Sequence, residues 1–147
     1  MFNNILIVCV GNICRSPMAE YLLRAQLPEH SKKHISSAGI GALVGKPADE
    51  TALELLKEHG IDATSHLARQ VTQEMLADAD LVLAMEEGHL KRMHDIAPQI
   101  RGRAFLLGKW QNNQSVPDPY RQQRPAFEHA FHLIQQATES WLKYLGK

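Results

Sequence analysis

Residues 5–17 read ILIVCVGNICRSP, and this stretch predicts the first strand, loop and helix of the chain. The apolar, β-branched run from Ile5 to Val10 is typical of a buried strand. Gly11, followed by Asn12, is expected to permit a sharp turn and a close approach of the backbone to a ligand. A helix is expected to follow, because Pro17 fits the first turn of a helix.

The alternation of strand and helix patterns continues along the chain. Three more apolar segments predict strands at His34–Ala38, Asp80–Met85 and Ala104–Leu107. The last helix shows the clearest apolar stripe, which consists of Phe127, Ala130, Phe131, Ile134, Ala137, Trp141, Leu142 and Leu145. This order favours one α/β domain over residues 1–147, with a four-stranded parallel sheet and helices on both of its faces.

Prolines, glycines and short polar residues predict where the helices begin and end. The first helix is expected to stop before Pro28, and the second to begin after Asp49 and end near Gly60. Thr72 would open a short helical turn, and Pro98 would stop the helix that precedes it.

Composition limits the classes of function. Sixteen basic residues balance sixteen acidic ones, so no overall field attracts nucleic acid or an anionic membrane. The apolar run near the start is too short to span a bilayer and lacks the features of a secretory signal. We therefore expect a cytoplasmic protein with no nucleic-acid partner and no membrane insertion, in which the two cysteines stay reduced.

A candidate anion site follows the first strand. Ligands of parallel α/β sheets bind beyond the carboxyl ends of the strands, where Cys9 lies. Successive backbone N–H groups at the start of a helix attract an anion. Arg15 adds a planar fork that matches two phosphate oxygens, and Ser16, the expected N-cap, can donate to the sulfur. The candidate phosphate-binding residues are Gly11, Asn12, Ile13, Cys14, Arg15 and Ser16. This volume suits a tetrahedral dianion, with the sulfur placed to attack it.

A plainer interpretation of the same residues is a buried strand cysteine followed by an unrelated arginine. The spacing between Cys9 and Arg15 is a weak signal by itself, and it gains specificity from the strand before it and the helix after it. A nucleotide-binding Walker loop is excluded, because the sequence contains no G-x-x-x-x-G-K-[ST].

The eight histidines raise the question of a metal site. His30 with His34, and His129 with His132, have spacings compatible with a helix. No converging carboxylate or thiol motif accompanies either pair, so solvated side chains are the better explanation. We expect no metal and no other cofactor.

The motif V-C-x-G-N-x-C-R-S-P, Val8 to Pro17, resembles the active-site loop of the low-molecular-weight protein tyrosine phosphatases. The resemblance extends over nearly the whole chain, through Ser36–Gly39, His66–Thr72, Asp80–Met85 and Pro117–Tyr120. The segments Gly41–Gly45 and Ile96–Gly102 are similar to a narrower bacterial group, which acts on the tyrosine autokinases of capsule and exopolysaccharide export. The family resemblance implies a flavodoxin-like or Rossmann-like version of the α/β fold.

This resemblance also implies a mechanism and a substrate. Cys9 would attack phosphorus and form a phosphocysteine, Arg15 would hold the phosphate, and Asp118 would act as general acid and then as base. From local sequence alone, an aspartate before a proline is also a common turn residue. The expected partner is a phosphotyrosine protein, in the narrower group a membrane tyrosine autokinase.

Supporting roles follow from the same resemblance. Ser37 and His66 would form a hydrogen-bond network that shapes the loop, and Tyr120 would flank the phenyl ring of the substrate. Leu43 stands where the family has a wall aromatic, and Arg121 where eukaryotic members have a second aromatic. These two departures bear on substrate preference and leave the acid chemistry intact.

Cys14 has two possible roles. In related phosphatases the equivalent cysteine forms a protective disulfide with the nucleophile, Cys9, under oxidation. An apolar bystander role is equally compatible with the sequence.

Two rival functions remain open at this point. One is an arsenate reductase of the same superfamily. The sequence has no cysteine after Cys14 to resolve an arseno-thiol adduct, as thioredoxin-coupled versions require, but a version that uses a small external thiol is compatible with it. The other is a non-catalytic module that binds phosphotyrosine or another anion, which would need neither a thiol nor an acid.

Overall fold

The apolar run near the start of the chain forms an inner strand of a four-stranded parallel sheet. In the computed structural model, which describes residues 2–145, β1 spans Asn4–Cys9 and pairs with β2 (His34–Gly39) on one side. On its other side lies β3 (Leu81–Ala84), followed by β4 (Ala104–Leu106), which gives the order β2-β1-β3-β4. The predicted sheet is therefore confirmed, with strand ends that differ by at most one residue.

Five helices cover the sheet. They are α1 (Arg15–Gln26), α2 (Glu50–Glu58), α3 (Gln73–Asp78), α4 (Glu87–Ile96) and α5 (Arg124–Trp141), with short 3₁₀ turns at Pro98–Ile100 and Leu142–Tyr144. The predicted caps of α2 and α3 are present, since Asp49 accepts from the backbone N–H of Thr51 and Thr72 from that of Met75. Within residues 2–145, no helix has the length and apolar character that a membrane crossing requires.

The alternation of side chains along β1 explains why the sheet has helices on both faces. Ile5 and Ile7 point into a core shared with α1, α2 and α5, whereas Leu6 and Val8 point into a second core with α3 and α4. All four side chains are almost completely buried. Burial of each side chain stabilises the fold by about 1.5–3 kcal/mol. Helices are therefore needed on both faces of the sheet to bury the side chains of this strand.

The apolar stripe of α5 fills most of one core. Six of its eight predicted members are buried on the helix itself, namely Phe127, Ala130, Phe131, Ile134, Ala137 and Trp141. The helix ends at Trp141, so Leu142 lies in the following 3₁₀ turn, and Leu145 is buried just beyond it. The indole N–H of Trp141 donates to the carbonyl of Leu107 at 2.7 Å, which ties the helix to the end of β4.

The start of α1 differs from the sequence prediction. The helix begins at Arg15, one residue before the expected N-cap, Ser16. The N-cap residue is Cys14, and no side chain caps this helix terminus. Ser16 cannot serve as the cap because its hydroxyl oxygen lies 2.8 Å from the Sγ of Cys9 and accepts from the Asn12 side chain. The first N–H groups of α1 are therefore left without a side-chain acceptor.

The outer edge of β2 is protected by two arginines. The guanidinium of Arg24 donates to the carbonyl of Ile35, and the Nε of Arg69 donates to the carbonyl of Ser37 at 2.9 Å. These carbonyls are two residues apart and point away from β1. An open strand edge can pair with a strand of another chain. Because the two arginine side chains occupy these carbonyls, the outer edge of β2 is less able to do so.

Gly39, at the end of β2, is required by a close approach of two backbones. A Cβ at this position would lie 2.3 Å from the carbonyl oxygen of Val10, which belongs to the loop after β1. Gly88, on α4, offers a matched comparison, because a Cβ there would meet nothing within 4 Å.

We expect Gly39→Ala to lower the free energy of unfolding by about 1–3 kcal/mol, because the new methyl group forces two backbones apart. Gly88→Ala should instead raise it by about 0.5–1 kcal/mol, through the better helix propensity of alanine. Urea denaturation of both variants measures the difference. Equal midpoints for the two variants would contradict the packing argument.

Candidate active site

Cys9 ends β1, and the segment from Cys9 to Ser16, the thiol loop, carries the chain from this strand into α1. The loop forms one side of a pocket of about 120 Å³. Residues from two other segments complete it, and the full lining is Cys9, Val10, Gly11, Ile13, Cys14, Arg15, Gly41, Leu43, Asp118 and Tyr120. The structure thus brings together the predicted nucleophile, phosphate clamp and acid, although more than a hundred residues separate Asp118 from the other two.

Asn12 produces the sharp turn of the thiol loop. Its φ is 60°, in the left-handed region that asparagine tolerates better than most residues, whereas Gly11 has no positive φ. The expectation that Gly11 provides the turn is therefore wrong. The buried side chain of Asn12 donates to the hydroxyls of Ser16 (2.8 Å) and Ser37 (3.0 Å) and accepts from the backbone N–H of Arg69 (3.0 Å). These three contacts compensate for the unusual backbone conformation.

His66 and Ser37 lie beneath the loop, as the resemblance implies. Nε2 of His66 lies 2.8 Å from the carbonyl oxygen of Asn12, which requires the proton to be on Nε2. The hydroxyl of Ser37 donates to the buried Glu20 at 2.5 Å, and Glu20 in turn is paired with Arg24 at 2.6 Å. A continuous chain of hydrogen bonds therefore runs from the loop to the protein surface.

Arg15 is a buried cation, with only 2% of its side chain exposed. Its Nη1 donates to Glu86 at 2.5 Å and to the carbonyl of Val116 at 2.8 Å. Its Nη2 lies 3.6 Å from a carboxylate oxygen of Asp118. A buried guanidinium needs such partners to offset its desolvation. Since Nη1 is fully occupied, Nη2 and Nε are the groups left to face an anion in the pocket.

Asp118 combines the two roles that local sequence left as alternatives. Its Oδ1 accepts from the backbone N–H of Tyr120 at 3.1 Å, which is the hydrogen bond of an Asx turn. Its Oδ2 faces Arg15, and 44% of the side chain is exposed. The carboxyl group is therefore fixed by the turn and still open to the pocket.

Cys14 lines the same pocket as Cys9, and both thiols are free. Burial, and next the negative charge of Asp49 and of Cys9, raise the pKa of the Cys14 thiol far above its usual range. Cys14 is therefore an uncharged thiol at neutral pH, which leaves Cys9 as the candidate nucleophile.

Two side chains form the walls above the sulfur. Leu43 and Tyr120 both line the pocket, and each is 38% exposed. The backbone N–H of Leu43 donates to the carbonyl of Gly11 at 3.0 Å, so the aliphatic wall is fixed to the thiol loop. On the other side, the guanidinium of Arg121 lies 5.2 Å from the centre of the Tyr120 ring.

Three titratable residues of the site were not predicted from the sequence. Glu20 lies one turn after Ser16 on the inner side of α1, Glu86 lies two residues beyond the end of β3, and His89 is one turn further along α4. The position of Glu86 near the carboxyl end of a strand was a usable signal, since that edge of a parallel sheet holds the ligand. An acidic residue at a buried helix position, as at Glu20, was another.

His89 is buried and faces the carboxylate that holds Arg15. Its Nε2 lies 3.8 Å from Oε2 of Glu86, and its Nδ1 has no hydrogen-bond partner. Burial, and next the positive charge of Arg15, lower the pKa of His89 below its ordinary value of 6.5. The imidazole is therefore neutral at pH 7.

Comparison with known proteins identifies the relationship. The family described as low molecular weight phosphotyrosine protein phosphatase matches residues 4–147. The chain belongs to this family. It is 46% identical to the low molecular weight protein-tyrosine-phosphatase Wzb of Escherichia coli K12 over 146 residues, which are 99% of this chain and 97% of Wzb.

Solved structures of the family share the whole fold. Wzb of Vibrio vulnificus, solved in complex with benzylphosphonate, superposes with a TM-score of 0.92 and 46% identity, over 98% of this chain and 99% of that one. The YwlE arginine phosphatase of Geobacillus stearothermophilus superposes with a TM-score of 0.89 and 32% identity, over 99% and 94%. The family resemblance seen in the sequence is confirmed.

We expect the unfolding free energy of the protein to fall as the pH drops below about 6.5, partly through His89. Below that pH, His89 is protonated in the unfolded chain, whereas in the folded protein its lowered pKa keeps the imidazole neutral. Proton binding therefore favours the unfolded state. His89→Gln should show a smaller fall between pH 7 and pH 5 in urea denaturation. His132→Gln, at an exposed position, is the control. An identical pH slope for His89→Gln and the unaltered protein would contradict the assignment.

Proposed function

We propose that the protein is a phosphotyrosine phosphatase that acts through a phosphocysteine at Cys9. One observation carries this proposal: a strand-end thiol, a buried arginine and a turn-fixed carboxyl group line one small pocket. The pocket also opens between two apolar walls, Leu43 and Tyr120, which suit the faces of a phenyl ring.

In the first step, the sulfur of Cys9 attacks phosphorus and forms an S–P bond. The P–O bond to tyrosine breaks, its electron pair stays on the phenolate oxygen, and Asp118 supplies the proton. Nη2 and Nε of Arg15 hold two equatorial oxygens. The uncapped N–H groups at the start of α1 hold the remaining charge. Loss of one such donor in a comparable site costs about 2.7–4 kcal/mol of barrier.

In the second step, water attacks the phosphocysteine and inorganic phosphate leaves. The Asp118 carboxylate accepts the proton of the attacking water, and the S–P bond breaks with its electron pair on sulfur. The hydroxyl of Ser16, 2.8 Å from Sγ of Cys9, is placed to donate a hydrogen bond to the departing thiolate. The enzyme returns to its starting state.

The rival functions have less support. Thioredoxin-coupled arsenate reduction needs further cysteines downstream of the loop, and Cys14, within the loop, is the last cysteine of the chain. A module that only binds phosphotyrosine needs no carboxyl group 3.6 Å from the phosphate-binding guanidinium, where its charge opposes an anion.

The physiological substrate that we propose is a membrane tyrosine autokinase of capsule or exopolysaccharide export. Support comes from the segments Gly41–Gly45 and Ile96–Gly102, which resemble the bacterial phosphatases of such systems. We place the reaction in the cytoplasm, where a reducing environment keeps the Cys9 thiol available.

Two substitutions test the chemistry. Cys9→Ser should abolish hydrolysis of phosphotyrosine peptides while sulfate or vanadate still binds. Asp118→Asn should lower kcat by about 10²–10⁴-fold for phosphotyrosine, and less for 4-nitrophenyl phosphate, whose leaving group needs little protonation. Asparagine keeps the Oδ1 acceptor for Tyr120, so this variant removes the proton and preserves the turn.

Substrate choice is measured on matched peptides that contain phosphotyrosine, phosphoserine or phosphoarginine. The proposal requires phosphotyrosine to be preferred. Near-normal turnover by Cys9→Ser, or a preference for phosphoserine or phosphoarginine, would overturn it.

A separate prediction concerns Cys14, which shares the pocket with Cys9. We propose that it protects the nucleophile, so brief peroxide treatment followed by dithiothreitol should restore the activity of the unaltered enzyme. The sulfenic acid formed on Cys9 condenses with the Cys14 thiol, water leaves, and the reductant opens the disulfide. Cys14→Ser should recover much less activity after the same treatment. Equal recovery would show that Cys14 is an apolar bystander.

A further inference from the structure

A groove of about 240 Å³ at the outer edge of β2 shares no lining residue with the thiol pocket. With histidines counted as neutral, its charged lining residues are the two arginines that cover this edge, Arg24 and Arg69, and one carboxylate, Glu20. Glu20 is buried, accepts from the hydroxyl of Ser37 and is already paired with Arg24. The groove therefore presents an excess of positive charge, in a chain whose overall charge is zero.

The backbone of β2 adds a hydrogen-bond donor to this groove. Successive residues of a strand turn their N–H and C=O groups to opposite sides, and the N–H of His34 donates to the carbonyl of Asn3, on the β1 side. The N–H and C=O groups of Ile35 and Ser37 therefore face the outer edge. Both carbonyls accept from arginine side chains, whereas within residues 2–145 nothing accepts from the N–H of Ser37.

The two guanidinium groups also keep unused donors. Arg69 uses its Nε for a strand carbonyl, and Arg24 uses Nε and Nη2 for a strand carbonyl and a carboxylate. In the part of the chain that the structure describes, Nη1 of Arg24 and both Nη atoms of Arg69 have no acceptor. The guanidinium of Arg24 lies 4.9 Å from the centre of the Tyr21 ring, which helps to fix its position. The unused groups at this edge are therefore N–H donors, and they suit a ligand that carries acceptors only.

We propose that this groove, the β2-edge groove, binds an oxyanion of the phosphate class, held between Arg24 and Arg69 and above the N–H of Ser37. The two carbonyls that the arginines cover are two residues apart, which is about 6.6 Å on an extended strand. A tetrahedral oxyanion between them can accept from both guanidinium groups at about 2.8 Å. Phosphate has more acceptor oxygens than a carboxylate, so it can also accept from the backbone N–H. Two sources supply this chemistry, the free phosphate ion and a second phosphoryl group on a phosphorylated protein.

The site is tested by NMR titration of the isotope-labelled protein with inorganic phosphate at constant ionic strength. The backbone amide of Ser37 and the Nε–H of Arg69 report on the β2-edge groove, and the amides of Gly11 and Ile13 report on the thiol pocket. We expect the groove signals to saturate with a binding curve of their own. Groove signals that do not move with phosphate would overturn the proposal. Equal shifts with chloride at the same ionic strength would also overturn it, because they would show only screening of the surface charge.

Arg69→Gln removes the free guanidinium and keeps the backbone N–H that bonds to Asn12. We expect it to weaken phosphate binding at the Ser37 amide by at least about 10-fold, because hydrogen bonds to a charged group are the stronger kind. The thiol-pocket signals should titrate as before. Arg101→Gln makes the same change in net charge at an exposed position outside the groove, and it should bind phosphate like the unaltered protein. Unchanged binding at Ser37 in Arg69→Gln would overturn the proposal.

The source of the anion is identified with the Cys9→Ser protein and peptides of one sequence that carry one or two phosphotyrosines. Tighter binding of the doubly phosphorylated peptide, lost when Arg69→Gln is added, would support the site and assign it to a phosphorylated protein. Equal binding of the two peptides, with free phosphate still saturating the groove, would support the site and assign it to the free ion. These outcomes concern the β2-edge groove alone and leave the proposed phosphatase function to the tests of the thiol pocket.

Discussion

The hydrogen bonds of Asn12 hold the thiol loop in a conformation that the backbone would not adopt alone. The residue has a backbone φ of 60°, and its fully buried side chain forms hydrogen bonds with Ser16, Ser37 and the backbone of Arg69. Each buried partner left unsatisfied would cost about 1–3 kcal/mol, which exceeds the typical cost of placing asparagine in the left-handed region. The direction of the loop, and hence the aim of its N–H groups, depends on this one side chain.

Charge in the site is balanced around Arg15. Two carboxylates, Glu86 and Asp118, face the guanidinium from different segments, and His89 next to them stays neutral because of its lowered pKa. Glu86 is held close, at 2.5 Å, and fixes one edge of the guanidinium, whereas Asp118 is more distant, at 3.6 Å. An incoming dianion can therefore displace the weaker contact and keep the stronger one. Glu86 thereby aligns the guanidinium, and in the proposed mechanism the displaced Asp118 carboxyl group is available to the leaving oxygen.

Local periodicity predicted the four strands and the apolar stripe of α5. The loop motif and the family resemblance together predicted eight of the ten residues that line the pocket, all but Val10 and Gly41. Sequence patterns failed where a residue's role depends on distant partners. The conformational freedom of glycine predicts the sharp turn at Gly11, but hydrogen bonds to distant residues place the positive φ at Asn12. Ser16 was assigned a cap by local preference, but its hydroxyl serves the sulfur of Cys9. Glu86 has only the weak signal of its place near the carboxyl end of β3, and His89 has none, since both act through Arg15, more than seventy residues away.

Buried and exposed side chains alternate within the same short segments around the site. Cys9 and Asn12 are buried and linked by hydrogen bonds through the hydroxyl of Ser16, so a change at either alters the geometry of the other. Arg15 is buried too, and its own hydrogen bonds join it to Glu86 and to the carbonyl of Val116. Val44 and Leu67 are exposed and belong to neither core, so they can change without a cost in packing. The backbone hydrogen bonds around Gly45 and Ala68 connect their two segments rigidly. Substitutions at these exposed positions should therefore leave the geometry of the thiol loop unchanged.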